Sequence, residues 1–98
     1  MTSKQPFVYI ITNKRNGTLY AGVTSNLPRR IAQHKAGTFE GFSKKHGLDL
    51  LVWYEAHADM ENAILREKKI KKYRRAWKLE LIEALNPDWE DLYAAIAK

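Results

Sequence analysis

Phe7-Val-Tyr-Ile-Ile-Thr12, Asn13-Lys-Arg-Asn-Gly17 and Thr18-Leu-Tyr-Ala-Gly-Val23 follow one another, and their reading decides the fold. The first run is rich in β-branched and aromatic residues, which suit a strand. Asn16-Gly17 signals a hairpin turn with positive φ at both residues. The third run is the return strand. A two-residue turn there opposes Arg15 to Thr18, so odd positions of the first strand share a face with even positions of the second. Tyr9 and Tyr20 then lie on one face, about four residues or roughly 13 Å apart along the ladder.

A helix is expected next. Thr24, Ser25 and Asn26 are good caps, and Pro28 is tolerated in a first turn. At about 100° per residue, Leu27, Arg30, Ile31 and His34 share one face and Arg29 points the other way. Residues 35–47, with three glycines, read as a loop holding at most one helical turn and a basic spot at Lys44-Lys45-His46. Leu50-Leu-Val-Trp-Tyr-Glu55 is a third strand. Met60 to Leu85 is helical, with Ile70, Tyr73, Trp77, Leu81 and Ala84 on one apolar stripe and a break expected near 73–76. Asn86-Pro87 stops it, and Trp89 to Ile96 forms a last short helix. The order is β-β-α-β-α-α, an α+β fold in a single domain over residues 1–98.

Composition bounds the function. The chain has 98 residues, 45% hydrophobic and 29% charged, with eleven aromatic Phe, Trp and Tyr side chains and no cysteine. That is a globular composition, and disulfides, Cys-ligated zinc and a Cys nucleophile are excluded. No apolar run approaches the roughly 18 residues that span a bilayer, and the N-terminus lacks a signal-peptide core. A cytoplasmic location without membrane contact is the simplest expectation. Net charge is +6, but unevenly spread: residues 1–49 carry all of it, and 66–78 hold eight basic residues against one acid. Two basic zones of this kind attract polyanions, nucleic acid among them, or are simply solvated helix faces.

Against that background a few positions carry chemistry. Glu67 sits three residues before Ile70, at the edge of the apolar stripe, with Lys68, Lys71, Lys72, Arg75 and Lys78 on the neighbouring flank. It reads either as a helix carboxylate paired with Lys71 or as a ligand for Mg²⁺ or Mn²⁺, which keep most of their water and bind substrate phosphate. Arg30 on an inward stripe needs an anion: a phosphate, or a carboxylate such as Glu55 or Glu67. His34, one turn on, is a half-buried histidine or a proton carrier near neutral pH. Tyr9 and Tyr20 are core aromatics with polar tips or a pair of site hydroxyls. The three histidines form no HxH or HExxH pattern, which speaks against a His-based zinc site.

Taken together, Phe7-Val-Tyr9, then Tyr20-Ala-Gly22, Arg30 ten residues after Tyr20 and His34 fourteen after it resemble the paired motif and following block of the GIY-YIG nuclease superfamily. Ala63-Ile-Leu-Arg-Glu67 fits its later metal-binding helix. Arg74 to Ile82 and Asn86-Pro-Asp-Trp-Glu-Asp-Leu92 resemble the ending of small, stand-alone bacterial members. Phe7-Val8 stands where the family has Gly-Ile, and Ala21 where it has Ile. The resemblance implies a three-stranded antiparallel sheet flanked by helices. It implies a metal-dependent DNA endonuclease leaving 5′ phosphates, with Tyr9, Tyr20, Arg30, His34 and Glu67 catalytic and Glu67 the metal ligand.

Asn86 is a possible site neighbour by the same resemblance. Arg29, Lys44, Lys45, Lys68, Lys71, Lys72, Arg75 and Lys78 are the expected DNA contacts. With no attached specificity domain expected, single-stranded or branched DNA is the anticipated substrate, with RNA left open and DNA repair the expected context. Phe39 and Phe42 read first as buried side chains and otherwise as candidates for stacking on unpaired bases. No obligate protein partner is inferred. The competing readings are a catalytically silent nucleic-acid-binding module of the same fold, and an adaptor whose acidic 79–98 segment docks a basic partner.

Overall fold

A computed structural model describes residues 5–37 and 41–97. Its elements run β1 (Phe7–Thr12), β2 (Leu19–Thr24), α1 (Leu27–Lys35), α2 (Phe42–Lys45), β3 (Leu50–Ala56), α3 (Met60–Lys71), α4 (Arg75–Leu85) and α5 (Tyr93–Ile96). The fold is α+β, as expected, with two one-turn helices, α2 and α5, in the expected order. Phe39 lies outside the described residues, as does the side chain of Phe42.

The strands form one antiparallel sheet in the order β2-β1-β3. The central strand is buried on both faces, because its neighbours cover its edges and helices cover its sides. Val8 and Ile10, with Val52 and Trp53, pack against Ala63 and Ile70 of α3, Ile82 of α4, and Trp89. Tyr9 and Ile11, with Leu51, pack against Leu27 and Ile31 of α1 and against Leu92, Tyr93 and Ile96 at the C-terminal end. A bulge in β3 opposite Ile10 and Ile11 puts Val52 and Trp53 into the same cluster although they are neighbours in sequence.

The hairpin register differs from the expected one. Tyr9 pairs with Gly22 and Thr12 with Leu19, so the connection is six residues, 13–18, rather than two. Only Asn16 of the Asn-Gly pair has positive φ, at 58°. Thr12 and Asn13 capture the loop instead. The Thr12 hydroxyl reaches the carbonyls of Lys14 and Thr18 at 2.9 and 2.8 Å, and the Asn13 side chain accepts from Thr18 N at 3.1 Å. The register moves by two positions, so each residue keeps its face while the offset between Tyr9 and Tyr20 halves to two residues, roughly 7 Å.

Asn26 caps α1, its side chain accepting from Arg29 N at 3.2 Å. Leu27 and Ile31 are buried, Arg30 is half-buried and Arg29 exposed, so the helical face read from the sequence holds. The long helix breaks at 72–74, where Arg74 is extended. That break resets the phase, so the single stripe expected across it does not form. Ile82 becomes the buried residue of α4, and Trp77 is left 49% exposed.

Asn86 ends α4. Its amide donates to the carbonyls of Val52 and Glu90, and its oxygen accepts from Glu90 N. Trp89 then takes φ 56° and enters the core, its indole N–H bonding Glu83 at 2.9 Å. The last helix consequently starts at Tyr93 instead of Trp89. Among the described residues no helix is long and apolar enough to cross a membrane.

Candidate active site

Tyr9 stands at the centre of β1, 1% exposed, facing α1. Its ring lies across the backbone of its cross-strand partner Gly22. A Cβ there would stand 2.5 Å from Tyr9 Cζ and 2.9 Å from Cε2, and nearer still to Oη, so no residue but glycine fits this position without moving the ring. The Tyr9 hydroxyl is 3.0 Å from His34 Nε2. The His34 ring also meets the Tyr20 ring edge-on, with centroids 6.2 Å apart. The two-residue offset of the observed register is what allows both tyrosines to flank one histidine.

Arg30, one turn before His34 on α1, hydrogen-bonds the Tyr9 hydroxyl, and its charge acts on both Tyr9 and His34. Glu67 comes from the opposite layer. It lies on the α3 stripe between buried Ala63 and Ile70, where α3 packs against β2 and β1. Its side chain is 14% exposed and pairs with Lys71 at 2.9 Å. The Lys71 ammonium in turn sits 5.6 Å over the Tyr20 ring. Glu67 is close enough to Tyr9 for its charge to act on that hydroxyl, as does Tyr20. Tyr9, Tyr20, Arg30, His34 and Glu67 thus share one neighbourhood, supplied by β1, β2, α1 and α3.

Burial dominates the electrostatics. It pushes the Tyr9 hydroxyl up to about 12, against the opposing pull of Arg30. Tyr9 therefore carries its proton at neutral pH. His34 moves the other way: burial, and then the Arg30 charge, lower its pKa below 6.5. A neutral imidazole beside a protonated phenol is an acceptor beside a donor. With the imidazole proton on Nδ1, Nε2 accepts from the Tyr9 hydroxyl.

The other expected contacts divide. Lys71 and Lys78 line a hollow of about 240 Å³ beside Tyr20. Arg29 and Arg30 line a second cleft, about 320 Å³, at the start of α1. Ser25, a cap candidate in the sequence, and Gln33, which the sequence reading does not single out, line that cleft too; Gln33 follows Arg29 by four residues, a helical spacing that marks it. Lys68 is exposed on α3, and Lys72 is exposed just past its end. Lys44 and Lys45 lie on α2, a separate element.

Two residues have structural partners instead. Arg75 spends its guanidinium on the hairpin loop, donating to the carbonyls of Asn16 and Gly17 at 2.7 Å each. The side-chain bonds of Asn86 go to Val52 and Glu90, which places it in the α4–β3 joint. Glu55, the alternative partner for Arg30, is held by Arg66 at 3.0 Å and His57 at 2.8 Å. Phe7, which stands where the family pattern has Gly, turns its ring edge-on to Tyr54, 5.8 Å between centroids.

Among the described residues no three His, Asp or Glu side chains cluster to hold a metal. The site offers one carboxylate, Glu67, among hydroxyls. That donor set suits a hard cation that keeps several waters and takes its remaining oxygens from a phosphate, and it does not suit zinc.

Residues 5–80 match the GIY-YIG catalytic domain family. A UPF0213 protein of Staphylococcus haemolyticus is 39% identical over 79% of this chain and 93% of its own length. Another, from Clostridium perfringens, is 37% identical over 80% of this chain and 83% of its own. The solution structure of a UPF0213 protein from Bacillus halodurans superposes with a TM-score of 0.55 at 28% identity, covering 89% of this chain and 92% of that one.

Proposed function

Since the chain belongs to the GIY-YIG catalytic domain family, we propose that it is a divalent-metal-dependent nuclease that hydrolyses phosphodiester bonds in DNA, on single-stranded or branched forms. The observation that carries this reading is the convergence of Tyr9, Tyr20, Arg30, His34 and Glu67 from two strands and two helices on opposite sides of the sheet.

In the reaction a water oxygen forms a bond to phosphorus, the bond to the 3′ oxygen breaks, and the product keeps a 5′ phosphate. The water must lose a proton. Tyr9, protonated at neutral pH, cannot take it as a standing phenolate. It relays it: the Tyr9 oxygen receives the water proton while its own proton passes along the 3.0 Å bond to His34 Nε2. The lowered His34 pKa keeps the ring neutral beforehand, and with its one proton on Nδ1 the Nε2 lone pair is open to receive. Arg30, pointing at the same hydroxyl, stabilises charge that builds on the Tyr9 oxygen and on the pentacovalent phosphorus. Tyr20 hydrogen-bonds the phosphate or the water.

Glu67 would hold Mg²⁺ or Mn²⁺, exchanging its pairing with Lys71 for the cation. When bound, such an ion neutralises phosphate charge and assists departure of the 3′ oxygen. Lys71 and Lys78 then meet the flanking phosphates.

The test is a cleavage assay on labelled single-stranded, duplex and flap DNA with Mg²⁺, Mn²⁺ or EDTA. Metal-dependent cutting supports the reading, and the preferred form names the substrate. Salt-sensitive binding with no cutting under any metal contradicts it and makes the chain a binding module.

A further inference from the structure

The break between α3 and α4 leaves an unusual surface away from the Tyr9–Glu67 neighbourhood. Trp77 is 49% exposed, whereas Trp53 and Trp89 are 4% and 6% exposed. It lines a groove of about 540 Å³ with Lys69, Tyr73, Glu80, Leu81 and Ala84. The indole is held in place: Tyr73 meets it edge-on with centroids 5.5 Å apart, and the Arg74 guanidinium lies 5.1 Å from its ring. A large aromatic face kept rigid and half open to solvent is not explained by core packing.

Charge says what would cover it. Of the eight basic residues in 66–78, Lys69 lines the groove and Arg74 stands at the Trp77 ring, two cations against the one groove carboxylate, Glu80. An apolar plate bordered by cations matches a ligand made of flat rings joined by phosphates. The groove is separate from the hollow at the proposed reaction site, but α4 contributes to both: Trp77 lines the groove, and the next residue, Lys78, lines the hollow beside Tyr20 and Lys71.

We propose that Trp77 is a stacking platform for an unpaired base of single-stranded DNA, with Arg74 and Lys69 meeting the adjoining phosphates. The proposal rests on the nucleic-acid reading above and extends it to a feature that discriminates single strands from duplex, whose bases are already stacked.

The test uses the intact chain in EDTA, so that nothing is cut. Because the other two tryptophans are buried, titration with a short oligo(dT) should quench the fluorescence of Trp77 selectively. Trp77→Ala should weaken oligo(dT) binding on the order of tenfold, the loss of one base–aromatic stack. It should leave duplex affinity unchanged. Trp77→Tyr should restore affinity while abolishing the quench, which a merely structural role would not do. A circular dichroism melt checks that both variants fold.

Unchanged fluorescence at saturating oligo(dT), or equal affinity in wild type and Trp77→Ala, overturns the proposal. So does a change in self-association with DNA affinity intact, which makes the groove a protein contact. The two readings fail separately. Quenching without cleavage under any metal keeps the platform and removes the nuclease; cleavage without quenching does the reverse.

Discussion

Replacing Gly22 by alanine adds one methyl group at the point where β2 passes under Tyr9. The new Cβ would lie 2.5 Å from Tyr9 Cζ. Carbon atoms settle at about 3.5 Å or more, so the ring must retreat by about 1 Å. It has nowhere to go at no cost, because Tyr9 is fully enclosed and its hydroxyl is engaged by His34 and Arg30. Overpacking a filled core costs about 1–3 kcal/mol. In a chain of this size each kcal/mol lowers Tm by about 4–8 °C. A shift of about 1 Å also takes the hydroxyl off its 3.0 Å contact with Nε2, and a misplacement of that size costs about 100-fold in rate. We expect Gly22→Ala to melt at least about 4 °C lower and to cleave DNA about 100-fold more slowly. Circular dichroism melting gives the first quantity. Single-turnover cleavage well below the lower Tm gives the second, free of any unfolded fraction. A variant that loses stability but cleaves normally would refute the link between Tyr9 placement and chemistry. One with wild-type Tm would refute the packing argument itself.

Three further outcomes are expected. Arg30→Ala should cost about 100- to 1000-fold in cleavage rate, whereas Arg29→Ala should weaken DNA binding only slightly; equal effects in the same assay would undo the helical-face assignment. Because His34 has its pKa held below 6.5, the unfolded chain takes up that proton first, so stability is complete above 6.5 and falls as pH drops toward the native value. The cleavage rate should fall in that same acid range, and an acid limb centred at or above 6.5 would count against His34 as acceptor. For Tyr9 the sign reverses: its native pKa of about 12 lies above the ordinary 10, so about 3 kcal/mol of stability is lost as pH rises from 10 through 12. Denaturation midpoints across that range should show the loss in wild type and not in Tyr9→Phe.

The elements were legible because each had a local signature. β1 has the boundaries its residue types predict and β3 matches to within one residue, and the helical spacing of Leu27 and Ile31 puts Arg30 and Arg29 on the correct sides of α1. What the sequence could not show came from partners distant along the chain. Asn16-Gly17 looked like a complete turn, but Thr12, Asn13 and Arg75 hold a wider loop, and Arg75 lies 58 residues beyond Gly17. Trp77 fitted a continuous stripe only while α3 and α4 were one helix, and three residues of non-helical backbone sufficed to expose it. Trp89 sits in a left-handed conformation that no propensity scale favours for tryptophan; it holds because Glu83 and the α3–α4 core receive the ring. The candidate site was legible as a set of residues, through motif order and spacing. Its electrostatics were not, because the Tyr9 and His34 shifts arise from burial between layers, a property of the assembled sheet.

The central claim is that Glu67 serves chemistry rather than DNA binding or folding. Glu67→Ala tests it most directly, with cleavage and affinity measured on the same labelled DNA, the latter in EDTA. Mg²⁺- or Mn²⁺-dependent cutting should disappear while affinity stays near wild type and Tm changes little. An affinity loss as large as the rate loss, or cutting that persists without Glu67, would contradict it.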